Sequence, residues 1–368
     1  MSLTDHDSSP IQVAAAKLQL PLTVPYRLAF GEQRQFDVLL VAIQRDGKIG
    51  WGEATILPGY TDETFDSSWH TAGEILQRGK TTRDLRTAAN HFLHDAPFTA
   101  SAFLTALDWL NGHETLKRSG RFELLGTVNG KSTDLAKLEK EVEALLAQGF
   151  KTLKVKIGWD PEPDLHQVDS VRRIVAGRAK LRVDGNQGYR RDQAEYFLKK
   201  LDPADIELVE QPCPSSDWDS AAAISKVASV PLMLDESIYT LDDIDRAARL
   251  KCASYIKLKL MKLGTLDTLE KGLRQIADRG MKAVLGNGVA TDLGCWMEIC
   301  VGLSCVSTAG EMNGFLKTPV QLLRPALKYE QAHVILDGNQ PAVDLKAITA
   351  HTIEHTHEWP ELTNVAIS

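Results

Sequence analysis

Leu181-Arg182-Val183-Asp184-Gly185-Asn186, Leu208-Val209-Glu210-Gln211-Pro212 and Met233-Leu234-Asp235-Glu236-Ser237 follow one plan: a short apolar run that stops at a carboxylate. Runs of this length bounded by turn residues read as buried strands, and the charged amphipathic stretches between them read as helices. Working outward, strands are predicted at 123–128, 152–157, 180–184, 206–210, 232–235, 255–259, 282–285 and 306–311, with helices at 135–148, 164–175, 191–201 and 266–279 among them. Strand and helix alternating through eight strands predicts an α/β chain with a parallel (β/α) barrel of TIM type. A doubly wound open sheet is the alternative. No Gly-rich phosphate loop follows any strand, and Gly286-Asn287-Gly288 lacks the third glycine of a dinucleotide fingerprint and its acidic partner.

The flanks have another texture. Runs at 11–20 and 36–44, then Asp46-Gly47 before 49–53, predict antiparallel strands with a hairpin, and helical patterns follow at 64–78, 82–95 and 100–111. That is an α+β unit. After Gly314 the alternation stops, and a tail with Pro319, Pro325 and a strand-like run at 332–336 is expected to pack back on it. The expected division is a capping domain over 1–120, a barrel over 121–318 and a returning C-terminal segment over 319–368, which together make a modified TIM barrel under an α+β cap.

Composition narrows the partners. The 368 residues are 43% hydrophobic and 25% charged, and 49 acidic against 42 basic residues give a formal charge of -7. The basic residues are scattered, so the footprint of a nucleic-acid binder is missing and a small-molecule partner is expected. No window approaches the roughly 20 apolar residues of a membrane-spanning helix, and Met1 to Pro10 lacks the pattern of a secretory signal. A soluble, cytoplasmic protein is expected. Five cysteines without a CxxC pair argue for buried free thiols. His351, His355 and His357, with Glu354 and Glu358, are expected in a solvated tail.

In a parallel barrel all strand ends open on one face, so Asp184, Glu210 and Asp235, spaced by 26 and 25 residues, converge. Three carboxylates with no His or Cys beside them suit Mg2+, or Mn2+, better than zinc. Side chains alternate along a strand, so Lys154 and Lys156 both point inward, and Lys259 ends the sixth strand on the opposite wall. A proton beside a carboxylate is too weakly acidic for lysine alone, and a metal that stabilises the enolate makes lysine a workable base. Burial and neighbouring positive charge lower a lysine's pKa toward that role.

Lys154-Val155-Lys156, Val183-Asp184-Gly185-Asn186, Val209-Glu210-Gln211-Pro212, Leu234-Asp235-Glu236-Ser237 and Leu258-Lys259, 24 residues beyond Asp235, resemble in this order the muconate-lactonizing enzyme subgroup of the enolase superfamily, in the mandelate racemase/muconate lactonizing enzyme family. The likeness covers almost the whole chain; a family glycine after Gly264 is Thr265. It implies Asp184, Glu210 and Asp235 as metal ligands, Lys156 and Lys259 as the acid/base pair, and Lys154 as the holder of the substrate carboxylate. It also implies a cap whose loops close over the mouth, here 25–31 with Arg27 and Phe30, and 55–60 with Tyr60. Glu311 and Asn313 occupy places similar to the Asp-x-Asp with which dipeptide epimerases hold a substrate ammonium, although Gly310-Glu311-Met312-Asn313-Gly314 resembles the Glu-x-x-Gly of muconate-lactonizing enzymes more. The expected activity is that of an isomerase, either a muconate-type cycloisomerase or a racemase or epimerase of an amino-acid derivative or dipeptide. A hydroxy-acid or acid-sugar dehydratase, or an o-succinylbenzoate synthase-like lyase, is the alternative. A symmetric homo-oligomer is expected from the same resemblance.

Overall fold

The computed structural model describes residues 9–28, 31–57, 59–286 and 288–359. It opens with antiparallel strands β1 (Gln12–Leu28), β2 (Gly31–Arg45) and β3 (Lys48–Thr55). Asp46 and Gly47 join β2 to β3 with φ of 52° and 74°, the left-handed pair that a tight hairpin requires. Alternate residues of β1 and β2 enter different apolar clusters: Ala14, Ala16, Leu18, Val38 and Leu40 join the one that runs into the barrel, and Val13, Ala15, Leu39 and Val41 join the helical layer of the cap. The sheet is therefore buried on both faces. Of the segment 25–31, expected as a loop, the described residues 25–28 and 31 instead lie on the strands of this hairpin, with Arg27 opposite Glu32 and Leu28 opposite Gly31, and 29–30 fall outside the described residues. Pro21 and Pro25 disfavour a continuous ladder, which absorbs them with a register shift between Pro21 and Tyr26.

Helices α1 (Phe65–Arg78), α2 (Thr82–Phe92) and α3 (Pro97–Leu110) complete the cap. All 14 residues of α3 are buried, because the helix lies between the cap sheet and the barrel. Glycines on β3 permit its approach: a Cβ at Gly52 would stand 2.0 Å from the Ala102 carbonyl oxygen. On its other side Ser101 Oγ donates to the Leu260 carbonyl at 3.2 Å, and Asp108 Oδ2 accepts from Leu266 N–H at 2.9 Å.

After β4 (Ser119–Glu123) the barrel runs through β5 (Gly126–Val128), α4 (Leu135–Ala147), β6 (Thr152–Lys156), α5 (Pro161–Val175), β7 (Lys180–Asp184), α6 (Arg191–Lys200), β8 (Ile206–Glu210) and α7 (Trp218–Ile224). It continues through β9 (Leu232–Leu234), α8 (Leu241–Leu250), β10 (Tyr255–Leu258), α9 (Leu260–Leu263), α10 (Leu266–Asp278), β11 (Lys282–Leu285) and α11 (Asp292–Cys305). Strands β5 to β11 form one parallel sheet in sequence order. The eighth predicted strand, 306–311, is no strand, yet it closes the ring: Leu125 N–H donates to the Gly310 carbonyl at 2.9 Å and Glu311 N–H to that of Leu285 at 3.0 Å. With Gly310 N–H also donating to the Glu123 carbonyl at 2.8 Å, the segment makes an isolated parallel bridge to Leu124 and a single bond on its other side, too little ladder for a strand. The predicted first strand, 123–128, divides, because β4 leaves the barrel to pair with a C-terminal strand.

That strand is β14 (His333–Asp337), which follows β12 (Leu323–Arg324) and β13 (Lys328–Glu330) and precedes β15 (Ala342–Val343), α12 (Leu345–His351) and β16 (Thr352–His355). β16 adds to the edge of the cap sheet, with Ala16 opposite His355. The His351 and His355 region, expected as a solvated tail, is thus a helix end and an ordered strand. Asp344 caps α12 through Lys346 and Ala347 N–H, and the β-branched Thr352-Ile353 that follows suits pairing. All five cysteines are free, four of them buried.

Cap and barrel are also joined by a carboxylate. Glu53 of β3 is buried, and its Oε1 accepts from Thr291 N–H at 2.9 Å and Gly294 N–H at 3.1 Å, at the start of α11. Burial raises its carboxyl to about 7, against the pull of the Thr291 and Gly294 amides. A group whose pKa is higher folded than unfolded loses its stabilising effect as pH rises from its ordinary value of 4.5 through about 7. Glu53→Gln keeps the acceptor and removes the titration. Between pH 4 and pH 8 the stability difference should move in the variant's favour by on the order of 3 kcal/mol, read by chemical denaturation at each pH; a difference that does not change with pH would show that Glu53 does not titrate in this range.

Candidate active site

The carboxyl ends of the barrel strands bring lysines and carboxylates into one connected set. Lys156 pairs in register with Asp184, and Asp184 with Glu210, so neighbouring strands end at the same height. Lys154 Nζ lies 2.7 Å from Asp184 Oδ2, 3.0 Å from Glu210 Oε2 and 2.8 Å from Glu311 Oε1. Lys156 Nζ lies 2.6 Å from Asp184 Oδ2 and 2.5 Å from Asn186 Oδ1. Across the mouth Lys259 Nζ lies 2.8 Å from Asp235 Oδ1, and Lys257 Nζ reaches Glu210 Oε1 at 3.0 Å, Asp235 Oδ2 at 3.3 Å and Glu311 Oε2. Lys262, on α9, donates to the Asp235 and Ile238 carbonyls at 3.0 and 3.1 Å.

The turns after the strands hold these groups. Asn186 and Gln187, at φ of 39° and 66°, turn the chain just after Asp184, and Asn186 N–H donates to Asp184 Oδ1 at 2.9 Å. The Asn186 amide then bridges Lys156 to Glu236, whose Oε1 accepts from Nδ2 at 3.1 Å. Gln211 ties two strand ends together: its Oε1 accepts from Asp235 N–H at 3.1 Å and Ser237 N–H at 3.2 Å. The loops after β6 and β7 cross at Gly158, where a Cβ would stand 2.2 Å from the Gly185 carbonyl oxygen.

Burial and charge oppose each other here. Burial alone pushes the Asp184 carboxyl up, and the Lys154, Lys156 and Lys257 ammonium groups reverse this and hold it at about 2. Asp235 and Glu311 are likewise held well below the usual carboxylate range despite burial, by Lys259 and Lys257 and by Lys154 and Lys257 respectively. Glu210 goes the other way, to about 7, because burial and the Asp184 charge outweigh Lys154 and Lys257. The carboxylates around Lys154 and Lys257 overcome burial and keep both ammonium groups protonated. Lys262 falls to about 8, because burial outweighs Asp235.

Of the residues singled out in the sequence, Lys154, Lys156, Lys259, Asp184, Glu210, Asp235 and Glu311 come together. Tyr60 joins them from the cap: Lys259 Nζ stands 4.7 Å from its ring centroid, and Tyr239 Oη donates to its carbonyl at 3.0 Å. Asn313 is buried beside the closing seam, its Nδ2 donating to the Leu125 carbonyl at 3.3 Å. Arg27 lies on the hairpin arm, while its side chain and Phe30 fall outside the described residues. The sequence reading passed over Lys257, Asn186, Glu236 and Lys262. Lys257 was legible by the argument that found Lys154, since it precedes Lys259 by two residues on the same strand face.

Residues 137–341 match the family described as Enolase C-terminal domain-like. The chain is 32% identical over 318 residues to the aromatic dipeptide epimerase of Herpetosiphon aurantiacus, covering 82% of this chain and 86% of that one. It is 27% identical over 303 residues to the L-Ala-D/L-Glu epimerase of Bacillus subtilis, covering 77% and 82%. Its fold superposes on the N-succinyl Arg/Lys racemase of Bacillus cereus with a TM-score of 0.86 at 21% identity, covering 95% and 99%. The chain belongs to the mandelate racemase/muconate lactonizing enzyme family of the enolase superfamily and is one of its isomerases. No helix among the described residues is long and apolar enough to cross a membrane.

The crossing at Gly158 carries Lys156 and Asp184 on its two strands, so it tests whether the site depends on their close approach. Gly158 has φ of 105°, which a side chain strains. Gly158→Ala should destabilise the fold by about 1–3 kcal/mol in denaturant titration and reduce turnover even where the variant is fully folded. Wild-type stability and turnover would show that the loops part without consequence.

Proposed function

We propose that the enzyme removes the proton beside a substrate carboxylate and returns one to the resulting enolate, as a Mg2+-dependent racemase, epimerase or cycloisomerase with Lys156 and Lys259 as its acid/base pair. The observation that carries this reading is the placement of two ammonium groups at opposite ends of one carboxylate row. Lys156 is bound to Asp184 and Lys259 to Asp235, from strands four places apart around the ring. A planar intermediate held between them presents one face to each. Lys156 in its neutral form takes a proton from one face while Lys259 as an ammonium delivers one to the other, and the reverse reaction exchanges the roles. Lys154 takes the role of holding the substrate carboxylate that the family resemblance implies. The named relatives support the reading, since epimerisation and racemisation both reset a carbon of this kind.

The donor set fits a hard divalent ion: Asp184, Glu210 and Asp235 offer only oxygen, from three adjacent strands, with no thiolate or imidazole among them. Among the described residues no three such groups close on a single point, because the Lys154 and Lys257 ammonium groups stand between neighbouring carboxylates. The carboxylates thus already gather around positive charge. Mg2+ bound there would supply the positive charge that offsets the negative charge building on the substrate carboxylate.

The test is α-deuterium incorporation in D2O with Mg2+ across N-acyl amino acids, dipeptides, hydroxy acids and muconates. The wild type should exchange both stereoisomers of its substrate. Lys156→Ala and Lys259→Ala should each lose exchange with one stereoisomer by about 10²–10⁴-fold and keep more of the other, and chelation of the metal should abolish both. Exchange that survives in both variants, or in chelator, would overturn the assignment. Net loss of water requiring one lysine would instead establish the lyase reading.

A further inference from the structure

We infer that Asp164 and Tyr189 are a positioning pair for Lys156, holding the loop that follows it against the loop that follows Asp184 and so governing proton transfer at one face of the substrate and not at the other. The inference rests on the two-lysine reading proposed above. Asp164 lies in the first turn of α5 and is buried. One of its oxygens, Oδ2, accepts from three successive amides, Gly158 N–H at 2.9 Å, Trp159 N–H at 2.9 Å and Asp160 N–H at 3.2 Å. Those residues begin two places beyond Lys156, so the carboxylate gathers the chain that leaves this lysine. Tyr189 comes from the loop between β7 and α6 and is 1% exposed. Its hydroxyl donates to the same Oδ2 at 2.6 Å, the length of a hydrogen bond to a charged acceptor. Burial and the Asp164 carboxylate push the phenol well above its ordinary pKa, so the hydroxyl remains a donor.

The two loops meet backbone to backbone. A Cβ at Gly188 would stand 2.1 Å from the Gly158 carbonyl oxygen, and Ile157 N–H donates to the Asp184 carbonyl at 2.9 Å. Glycine permits such an approach but offers no side chain to resist sliding, and the Tyr189–Asp164 bond supplies a side-chain tie across the crossing. Tyr189 N–H donates in turn to the Pro212 carbonyl at 2.9 Å, two residues beyond Glu210, and its ring packs on Phe197 of α6 with centroids 5.5 Å apart. The pair therefore spans the ends of β6, β7 and β8, the wall that carries Lys156. Lys259 is held from elsewhere, by Asp235, by the Tyr60 ring and by α3 against the turn behind it. Loss of the hydroxyl loosens one wall: the carboxylate keeps its three amides, and its tie to the β7–α6 loop is gone. A displacement of about 1 Å in a reacting group costs on the order of 10²-fold in rate.

Tyr189→Phe keeps the ring and the backbone amide and removes the bond. With Mg2+ in D2O, α-deuterium exchange is read on both stereoisomers of each N-acyl amino acid and dipeptide that the wild type exchanges. Tyr189→Phe should slow the stereoisomer that Lys156→Ala also slows by about tenfold or more, and the other by less than about threefold. Exchange of the 158–160 amides, followed by mass spectrometry, should speed up by about tenfold. A loss of packing alone would slow both stereoisomers alike and leave their ratio where it was. In the Lys156→Ala background the same substitution should leave the ratio unchanged, whereas in Lys259→Ala it should slow the remaining exchange by the factor seen in the wild type. A stereoisomer ratio that stays at the wild-type value in Tyr189→Phe, while exchange still requires both lysines, overturns this inference and leaves the proposed function standing. If no member of the panel exchanges, or exchange needs neither lysine, the proposed function fails and takes the inference with it. Should Tyr189→Phe not fold, Asp164→Asn, which keeps an acceptor toward the amides and weakens the bond from the hydroxyl, decides by the same ratio.

Discussion

Five ammonium groups held among five carboxylates, nearly all without access to water, form the constraint that the rest of this structure serves. None of these side chains is stable there alone, because burying an isolated charge costs several kcal/mol even after relaxation. Each is tolerable only while its partners stay within about 3 Å, which requires strand ends fixed in register and turns that do not drift. The left-handed residues after β7, the Gln211 clamp and the glycine crossing at Gly158 all meet that demand. A parallel barrel is well suited to it, since the carboxyl ends of all its strands open on one face and bring their terminal side chains together there.

The cap answers to the same constraint from above. α3 is buried on all sides, bonded to the first turn of α9 and the start of α10, so it fixes the segment that follows Lys259. Tyr60 covers that lysine with an aromatic face, which lowers its access to water without adding a charge. Glu53 ties the cap sheet to α11. The cap is therefore joined to the barrel through its core.

The barrel and its strand-end carboxylates were legible because their signals are local: an apolar run, a terminal acid and a period of two that turns Lys154 and Lys156 the same way. The length of β1 was not, since Pro21 and Pro25 are strand-breaking by propensity and only the partner strand shows that the ladder continues past them. The closing segment 306–311 was taken for a strand because its residues are β-branched and small, whereas strand status depends on how many bonds its neighbours offer. Lys257 went unread for a different reason. The alternation that turns Lys154 inward also places Lys257 on the face of Lys259, but its partner Glu311 lies 54 residues away, so what the lysine pairs with is not a local signal. β16 was missed because its pairing strand stands at the other end of the chain.

That last pairing governs how the molecule is made. Ala15 N–H bonds to Thr356 Oγ1 across 341 residues, and β16 completes the sheet that β1 begins. β1 therefore keeps this edge unpaired until β16 has been synthesised, and contacts of such separation form slowly. During that interval the edge of β1 is open to pairing with other chains. Lys17 stands on that edge, and in the finished sheet it pairs with Glu354 at 3.5 Å; before β16 arrives its positive charge guards the strand against association, so one residue serves the folded protein and the nascent one in turn.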